Sequence, residues 1–271
     1  MSPRISIVTV TLNGAEHLDQ AMQSVISQEY SDLEYILVDG GSTDGTLDII
    51  EQYRKSISHF ISEPDRGISD AFNKGIRIAG GEIIGIVSAD DYLLPGALKA
   101  VAEEYARHGW PDVVHGNCIS LNPATGLRFL SRPDSSLKSA FFGQPLKHGS
   151  TFVSKAAYQK HGMFDLSYRA AMDYDLILRL IVNGARFAYV NRELAVIRDG
   201  GINVRLRSLT RRESREISIR HGCPHWKAEV YMWWKIIKDN AKVWLTRLHL
   251  HQVVSVYRRK IGKNVPIQGV P

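Results

Sequence analysis

The apolar and polar positions of the first hundred residues alternate between two periods, which predicts strands interleaved with helices. Runs of β-branched and apolar residues predict buried parallel strands. These runs are Ile5–Thr11, Leu33–Val38 and Glu82–Ser88, and His59–Ser62 is predicted as a further short strand. The stretches between them repeat apolar side chains every three or four residues, as amphipathic helices do. The β-α-β-α order predicts an open, mostly parallel α/β sheet flanked by helices.

The pattern changes near Asp112. A strand over residues 112–121 leads into a Pro-, Gly- and Ser-containing stretch that predicts a hairpin or loop, and a short helix starts at Ser154. A longer helix follows Asp173 and ends before Gly184, and a strand covers residues 185–190. We therefore predict one domain over residues 1–202, with halves at 1–111 and 112–202.

Residues 203–271 are predicted to form a basic helical extension. Apolar residues three or four apart form one stripe on it: Trp226, Val230, Trp233, Ile237, Ala241, Trp244 and Leu248. Residues 201–271 carry 15 Lys and Arg against 4 Asp and Glu, a net charge of +11, within a chain of net charge +6. Such a helix suits an anionic membrane surface. Packing on the domain or homodimer formation are the alternatives.

Polar residues follow several of the predicted strands. Asn13, Asp39, Asp65 and Asp90 all do so, and ligands of open α/β sheets bind outside the carboxyl ends of the strands. We therefore expect these four side chains to share one cleft.

Asp90 and Asp91 form an acidic pair at the end of a hydrophobic strand. Adjacent carboxylates repel each other, and a divalent cation relieves the repulsion. Mg²⁺ or Mn²⁺ is held by one or two carboxylates together with substrate phosphates, so the pair suggests a metal–diphosphate site. Helix capping or a turn explains an Asp-Asp pair equally well when it stands alone.

Two further carboxylates have candidate roles. Asp39 precedes Gly-Gly and is placed to accept hydrogen bonds from a ribose or a base. Asp173 starts an amphipathic helix, where the helix N-terminus alone favours a carboxylate. Its functional interpretation is a general base for an acceptor hydroxyl.

Five segments resemble the family 2 glycosyltransferases, in the order that this family shows. They are SIVTVTLNGAEHLDQAMQSVISQ, YILVDGGSTDGT, EPDRGISDAFNKGI, GEIIGIVSADDYLLPGAL and DYDLILRL, within residues 4–202. The resemblance implies the GT-A fold and an inverting transfer. The DGGS, HGSTF and RDGGIN segments look most like bacterial enzymes of exopolysaccharide, colanic-acid-type and lipopolysaccharide O-chain synthesis.

The resemblance also implies that residues 1–111 form the nucleotide-sugar-binding half and residues 112–202 the acceptor-side half, and it implies a role for individual residues. Asp90 would be the metal ligand, with Mg²⁺ or Mn²⁺ as cofactor, and Asp173 the catalytic base. The residues expected to bind the nucleotide or place the donor are Thr11, Asn13, Asp39, Asp65, Asn73, Ser88 and Asp91. Positions expected on the acceptor or diphosphate side are His148, Gly200 and Gly201.

The chain departs from the family pattern at three positions. Ser88 stands where the first Asp of the DXD motif is usual, so Asp90 must do more of the metal binding. Gly40 replaces a second Asp after Asp39, and Met172 replaces the Glu before Asp173. The Gln-x-x-Arg-Trp signature of processive synthases is absent, which implies that one sugar is added per binding event.

The predicted function is therefore metal-dependent transfer of one sugar from a nucleotide-diphosphate sugar, with a UDP-sugar as first choice. The expected acceptor is a glycan or a polyprenyl-diphosphate-linked glycan, and the expected location is cytoplasmic, peripheral on the inner face of the cytoplasmic membrane. Two alternatives stay open: a sugar-phosphate nucleotidyltransferase and a non-catalytic membrane-associated sugar-nucleotide-binding protein. No motif supports a nucleic-acid partner.

Overall fold

A single mixed sheet forms the centre of the molecule. The computed structural model describes residues 2–134, 139–200, 206–247 and 264–266. The sheet order is β10-β7-β6-β8-β4-β1-β2-β3, and β9 pairs with β6 and with the short β5. The strands are β1 (Ile5–Thr11), β2 (Leu33–Asp39), β3 (His59–Ser62), β4 (Ile83–Ser88), β5 (Tyr92–Leu93), β6 (Val113–Leu121), β7 (Arg128–Ser131), β8 (Thr151–Ser154), β9 (Phe187–Arg198) and β10 (Asn264–Pro266).

Helices cover both faces of this sheet. They are α1 (Leu18–Ile26), α2 (Thr46–Gln52), α3 (Ile68–Ile78), α4 (Ala97–Arg107), α5 (Lys155–His161), α6 (Met172–Val182), α7 (Arg207–Arg220) and α8 (His225–Arg247). Along β1, Ile5 and Ile7 belong to the core under α1 and α4, whereas Val8 and Val10 belong to the core under α3 and α6. This double burial explains why the parallel strands are apolar without alternation. The predicted mostly parallel α/β sheet is confirmed.

The structure extends one predicted strand and adds two short ones. The strand predicted over residues 185–190 continues to Arg198, and β5 and β10 were not predicted, β10 lying within the predicted helical extension. Pro95 precedes α4, whose N-cap is Gly96. The predicted hairpin is present, because β7 pairs antiparallel with β6.

The first part of the predicted basic extension is integrated into the body. Ile217 of α7 is fully buried in the core. The Glu213 carboxylate of α7 accepts hydrogen bonds from the backbone N–H groups of Arg169, Ala170 and Ala171 at 2.9–3.0 Å. The predicted extension is therefore not separate from the body over α7. None of the helices described is long and apolar enough to cross a bilayer.

Candidate active site

The carboxyl ends of β1, β2 and β4 meet at one edge of the sheet. Thr11 pairs with Asp39, and Val10 pairs with Ser88. On the far side of β2, Asp39 pairs with Ser62. The strand order thus gathers the segments after β1, β2, β3 and β4 at the same edge, as expected from the sequence.

The loops that follow β1 and β2 hold each other. The Asn13 side-chain oxygen accepts a hydrogen bond from the Thr43 N–H at 2.9 Å, and the Asn13 N–H donates to Ser42 Oγ at 2.8 Å. Asn13 has a φ of 51°, a left-handed conformation that asparagine tolerates. The Thr11 hydroxyl is buried and has no hydrogen-bond partner among the described residues. The Thr11–Asn13 segment is therefore fixed in place beside the β2 loop.

The carboxylate of Asp39 organises its own loop. It is fully buried and accepts hydrogen bonds from the Gly41 N–H at 3.1 Å, the Ser42 N–H and the Ser62 hydroxyl at 2.7 Å. All of these hydrogen-bond donors to the Asp39 carboxylate are groups of the protein itself. The contact of Asp39 with a base stays a prediction, while its part in shaping the DGGS turn is direct.

Asp65 and Asn73 both engage protein partners. The Asp65 carboxylate forms an ion pair with Lys74 at 2.6 Å, and a Cβ on Gly40 would lie 2.7 Å from it. The Asn73 amide donates to the Phe164 carbonyl at 2.8 Å and accepts from the Phe164 N–H at 3.0 Å. This geometry does not support the predicted nucleotide contact of Asn73, because its amide joins α3 to the segment before α6.

Ser88, Asp90 and Asp91 follow β4 with unequal exposure. Ser88 and Asp90 are half-buried, whereas Asp91 is 9% exposed. Asp91 Oδ1 accepts a hydrogen bond from the Arg198 N–H at 3.0 Å. Burial raises the pKa of Asp91, and repulsion from Asp90 adds to the rise. Asp90 is therefore the more open carboxylate, and Asp91 links β4 to β9.

Arg198 brings a positive charge to this acidic pair. Its guanidinium donates to the Asp90 carbonyl and to Gln20 Oε1, and it lies over the Tyr92 ring at 5.4 Å from the centroid. Gly200 follows with a φ of 116°, a conformation that favours glycine. Gly201 lies outside the described residues.

Asp173 lies in the first turn of α6, where the helix N-terminus favours its charge. Its Oδ1 accepts a hydrogen bond from the Tyr174 N–H at 2.8 Å, and its Oδ2 accepts one from Gln144 Nε2 at 2.6 Å. His148 contacts the rings of Phe72 and Phe164, and its Nε2 is buried without a described partner. Burial holds the pKa of His148 below its usual range, against the opposing charge of Asp173. Asp173 and His148 are therefore electrostatic neighbours.

A cleft of about 660 Å³ leads away from Gln144, between β6, β7 and α8. Its wall includes Lys147, whose charge acts on Asp91. The cleft is thus lined by a hydrogen-bond partner of the candidate base and by a lysine that acts on the acidic pair. Its basic and aromatic lining residues are Phe129, Arg132, Phe142, Lys147, Tyr231, Trp234, Lys235 and Lys238.

A family model described as Glycosyl transferase family 2 matches residues 6–165. The chain belongs to this family. A PGL/p-HBAD biosynthesis glycosyltransferase of Mycobacterium bovis is 32% identical over 188 residues, which cover 68% of this chain and 72% of the relative. The chain is thus a glycosyltransferase, which sets aside the nucleotidyltransferase alternative.

Solved structures show the same fold. The TarS 1-349 structure of S. aureus in complex with UDP has a TM-score of 0.64 at 18% identity, over 84% of this chain and 69% of that one. The mannosyltransferase PcManGT of Pyrobaculum calidifontis, in complex with GDP-Man and Mn²⁺, has a TM-score of 0.62 at 20% identity, over 86% and 70%. The expected GT-A architecture is confirmed.

The carboxylates at this site of the family 2 enzyme suit a cation that the protein and the substrate bind together. No group of three or more His, Cys, Asp and Glu side chains in the described part of the chain is arranged to hold a metal alone. Mg²⁺ and Mn²⁺ accept one or two protein carboxylates when substrate phosphates supply further oxygens. The half-exposed Asp90, with the Ser88 hydroxyl two residues earlier, fits that requirement.

Sequence reasoning missed three residues at this site: Lys74, Gln144 and Arg198. Lys74 lies in the segment EPDRGISDAFNKGI and Arg198 in RDGGIN. The presence of a basic residue in a segment that resembles the family could therefore have indicated both. Gln144 has no such signal, because its partner Asp173 is 29 residues away.

Proposed function

We propose that this enzyme is an inverting glycosyltransferase that moves one sugar from a nucleotide-diphosphate sugar to a glycan or lipid-linked glycan acceptor. The observation that carries the proposal is that one cleft is lined both by Gln144, which donates a hydrogen bond to Asp173, and by Lys147, whose charge acts on Asp91 beside Asp90. Relatives named for PGL/p-HBAD biosynthesis and structures in complex with UDP, UDP-GlcNAc and GDP-Man support it.

Asp173 accepts the proton of the acceptor hydroxyl in this mechanism. The hydroxyl oxygen forms a bond to the anomeric carbon while the bond from that carbon to the nucleoside diphosphate breaks. One displacement inverts the anomeric centre, so an α-linked donor gives a β-linked product. Gln144 holds one Asp173 oxygen at 2.6 Å and fixes the direction of the carboxylate.

Asp90 would hold Mg²⁺ or Mn²⁺ on the donor diphosphate, with Ser88 beside it. A cation bound there would stabilise the negative charge that develops on the leaving group. Arg198 adds a fixed positive charge on the same side of the site. Asp91 keeps β9, and with it Arg198, in position. The residues after β1 to β3 then surround the nucleoside.

The acceptor is proposed to be polyprenyl-diphosphate-linked and used in bacterial surface polysaccharide synthesis at the inner face of the cytoplasmic membrane. The basic lining of the cleft supports an acceptor that carries negative charge. The net charge of +11 over residues 201–271 supports the location.

Replacement of Asp90 by Ala tests the metal assignment. Transfer should fall by at least about a hundredfold, the size seen when one group that stabilises developing charge is removed. Thermal shifts with UDP, GDP and dTDP, each with and without Mn²⁺, should show a metal-dependent stabilisation in the wild type and none in the variant. Asp48→Ala, an exposed carboxylate on α2, is the matched control. Wild-type transfer by Asp90→Ala would overturn the assignment.

Asp173→Asn tests the base. The amide cannot accept the proton, so transfer should fall by about 10²–10⁴-fold. The metal-dependent thermal shift with the nucleotide should persist, because Asp173 does not contact the donor diphosphate in this mechanism. Transfer of labelled sugar to a bacterial membrane fraction is the measurement, and unchanged transfer would assign the base elsewhere.

A further inference from the structure

The outer face of α8 exposes a row of large apolar side chains. Trp226, Val230, Trp233 and Ile237 are 64%, 62%, 59% and 65% exposed. Their spacing of four, three and four residues puts them on one line of the helix. We call these four residues the α8 stripe. Nothing in the described part of the chain covers it, although contiguous apolar patches of this kind mark interaction surfaces.

The opposite face of α8 fixes the direction in which the stripe points. Ala228 is buried, and the Tyr231 ring lies 5.5 Å from the Phe142 ring. The Glu229 carboxylate accepts a hydrogen bond from Arg215 of α7 at 2.6 Å. The helix is therefore docked on the body by its inner face, and the predicted alternative that the stripe itself packs on the domain does not hold for these four residues. Ala241, Trp244 and Leu248 lie outside the side chains described.

Positive charge borders the stripe. Lys227 and Lys238 are exposed, with their ammonium groups 5.4 Å and 4.9 Å from the centroids of the Trp226 and Trp234 rings. The carboxylate between them in sequence, Glu229, is paired with Arg215. A second copy of the chain would bring one basic helix against another, whereas an anionic surface complements these lysines.

We infer that the α8 stripe docks on the surface of an anionic phospholipid bilayer. Tryptophans and aliphatic side chains then enter the interface, and Lys227 and Lys238 meet the lipid phosphates. Trp234 and Lys238 also line the acceptor cleft, so docking brings the cleft mouth to the level of the headgroups. The further conclusion, that a lipid part holds the acceptor in the bilayer, rests on the proposed function. The docking of the α8 stripe does not depend on it.

Co-sedimentation with vesicles tests the docking. The wild type should bind vesicles of 70% phosphatidylcholine and 30% phosphatidylglycerol, and bind pure phosphatidylcholine vesicles far less. The double variant Trp233→Ala/Ile237→Ala removes two side chains that enter the interface. Its partition coefficient between vesicles and water should be lower than that of the wild type by more than about tenfold. Lys227→Glu should lower it at least about fivefold, since one lysine near an anionic surface has about that effect. The matched controls are Trp110→Ala and Lys99→Glu, which lie outside α8 and should bind as the wild type does.

Three results would overturn the inference. They are no binding to the anionic vesicles, an equal loss in the controls, and a dimer in light scattering that the stripe variants convert to monomer. If the double variant has a lowered unfolding temperature, Val230→Ser replaces it. Thermal shifts with nucleotide and Mn²⁺ in the same samples separate the two proposals. A preserved shift without vesicle binding rejects only the docking, whereas vesicle binding without any nucleotide shift rejects only the proposed function.

Discussion

Asp39 and Glu213 show how single buried carboxylates build this active site. Asp39 accepts hydrogen bonds from the loop after β2, and Glu213 accepts three from the backbone before α6. Hydrogen bonds to a charged acceptor are about twice as strong as neutral ones. Each carboxylate therefore fixes a segment that carries residues of the site. Asp39 fixes the loop after β2, and Glu213 fixes the start of α6, which carries Asp173.

Glu213→Ala should lower both stability and transfer. Three backbone N–H groups lose their acceptor in a buried place, so the free energy of unfolding should fall by at least about 2 kcal/mol. The start of α6 then loses its anchor, so turnover should fall while the nucleotide-dependent thermal shift persists. Urea unfolding and transfer assays measure the two effects. Glu216→Ala, exposed on the same helix, should change neither. A loss of stability with full turnover would mean that Glu213 does not position Asp173.

Glu34 predicts a pH dependence of stability at the opposite end of the sheet. Its carboxylate is buried, which raises its pKa, but the Ser6 hydroxyl, the Gly80 N–H and Arg4 outweigh burial, so the pKa is lowered. A lowered pKa in the folded state means that Glu34 stabilises the fold above its unfolded pKa of about 4.3. This contribution is lost as the pH falls through the lower, folded value.

Glu34→Gln measures that contribution. The variant should have a lower free energy of unfolding than the wild type at pH 7, and the difference should shrink as the pH falls below about 4. Denaturant titrations at several pH values test this. A difference that stays constant over the range would show that the lost contacts, rather than the charge, stabilise the fold.

The sequence predicts the positions of site residues better than their contacts. Asp39 and Asp90 follow from strand ends alone, because parallel strands fix the edge at which ligands bind. The bidentate contact of Asn73 with Phe164 spans 91 residues, and the contacts of Glu213 span more than 40. No local pattern encodes partners so distant. Residues assigned by family resemblance therefore had their positions predicted, but not the hydrogen bonds that they make.

At the scale of elements, helix α3 lies very close to the sheet at Gly75. A Cβ there would lie 2.3 Å from Val8 Cγ1 of β1, and Val8 is fully buried. This contact lets α3 lie low on the sheet, which places Asn73 and Lys74 at the carboxyl edge. The helical periodicity predicted α3, but the need for glycine at this position comes from β1.

Gly75→Ala should destabilise the fold by about 1–3 kcal/mol, the usual effect of overpacking. The better helix propensity of alanine, about 1 kcal/mol, offsets only part of this effect. Val8→Ala removes the clashing methyl groups, so the double variant should be more stable than the sum of the single effects predicts. Gly45→Ala is the control, since its nearest neighbour would be Ala15 Cβ at 3.9 Å. Additive effects of the two changes would argue against the clash.

Whether an element was predicted depended on its burial and length. β1, β2 and β4 are runs buried on both faces and follow directly from the apolar pattern of the sequence. β5 has only two residues, and α7 has few apolar positions, with three buried residues in fourteen. The contacts of α7 with the segment before α6 are tertiary and leave no local sequence pattern. The sequence therefore predicted α7 only as part of a basic helical extension.

The sheet joins the two predicted halves of the domain. β4, in the half over residues 1–111, pairs with β8, and β8 pairs with β6. Asn73 and Glu213 add further hydrogen bonds between segments distant in the chain. The predicted halves at 1–111 and 112–202 therefore share strand pairing, and neither presents a complete sheet alone.

This continuity predicts that the body unfolds in one cooperative transition. Far-ultraviolet circular dichroism reports the helices and sheet, while tryptophan fluorescence reports Trp110 and α8, and the two denaturation curves should coincide. Nucleoside diphosphate with Mn²⁺ at about 100 times its Kd should raise the free energy of unfolding by about 2.7 kcal/mol for the whole transition. Asp90→Ala should remove the part of this increase that needs the metal and leave the curves coincident. Two separated transitions, of which the nucleotide shifts only one, would show that the half over residues 1–111 folds independently of the half over residues 112–202 despite the shared sheet.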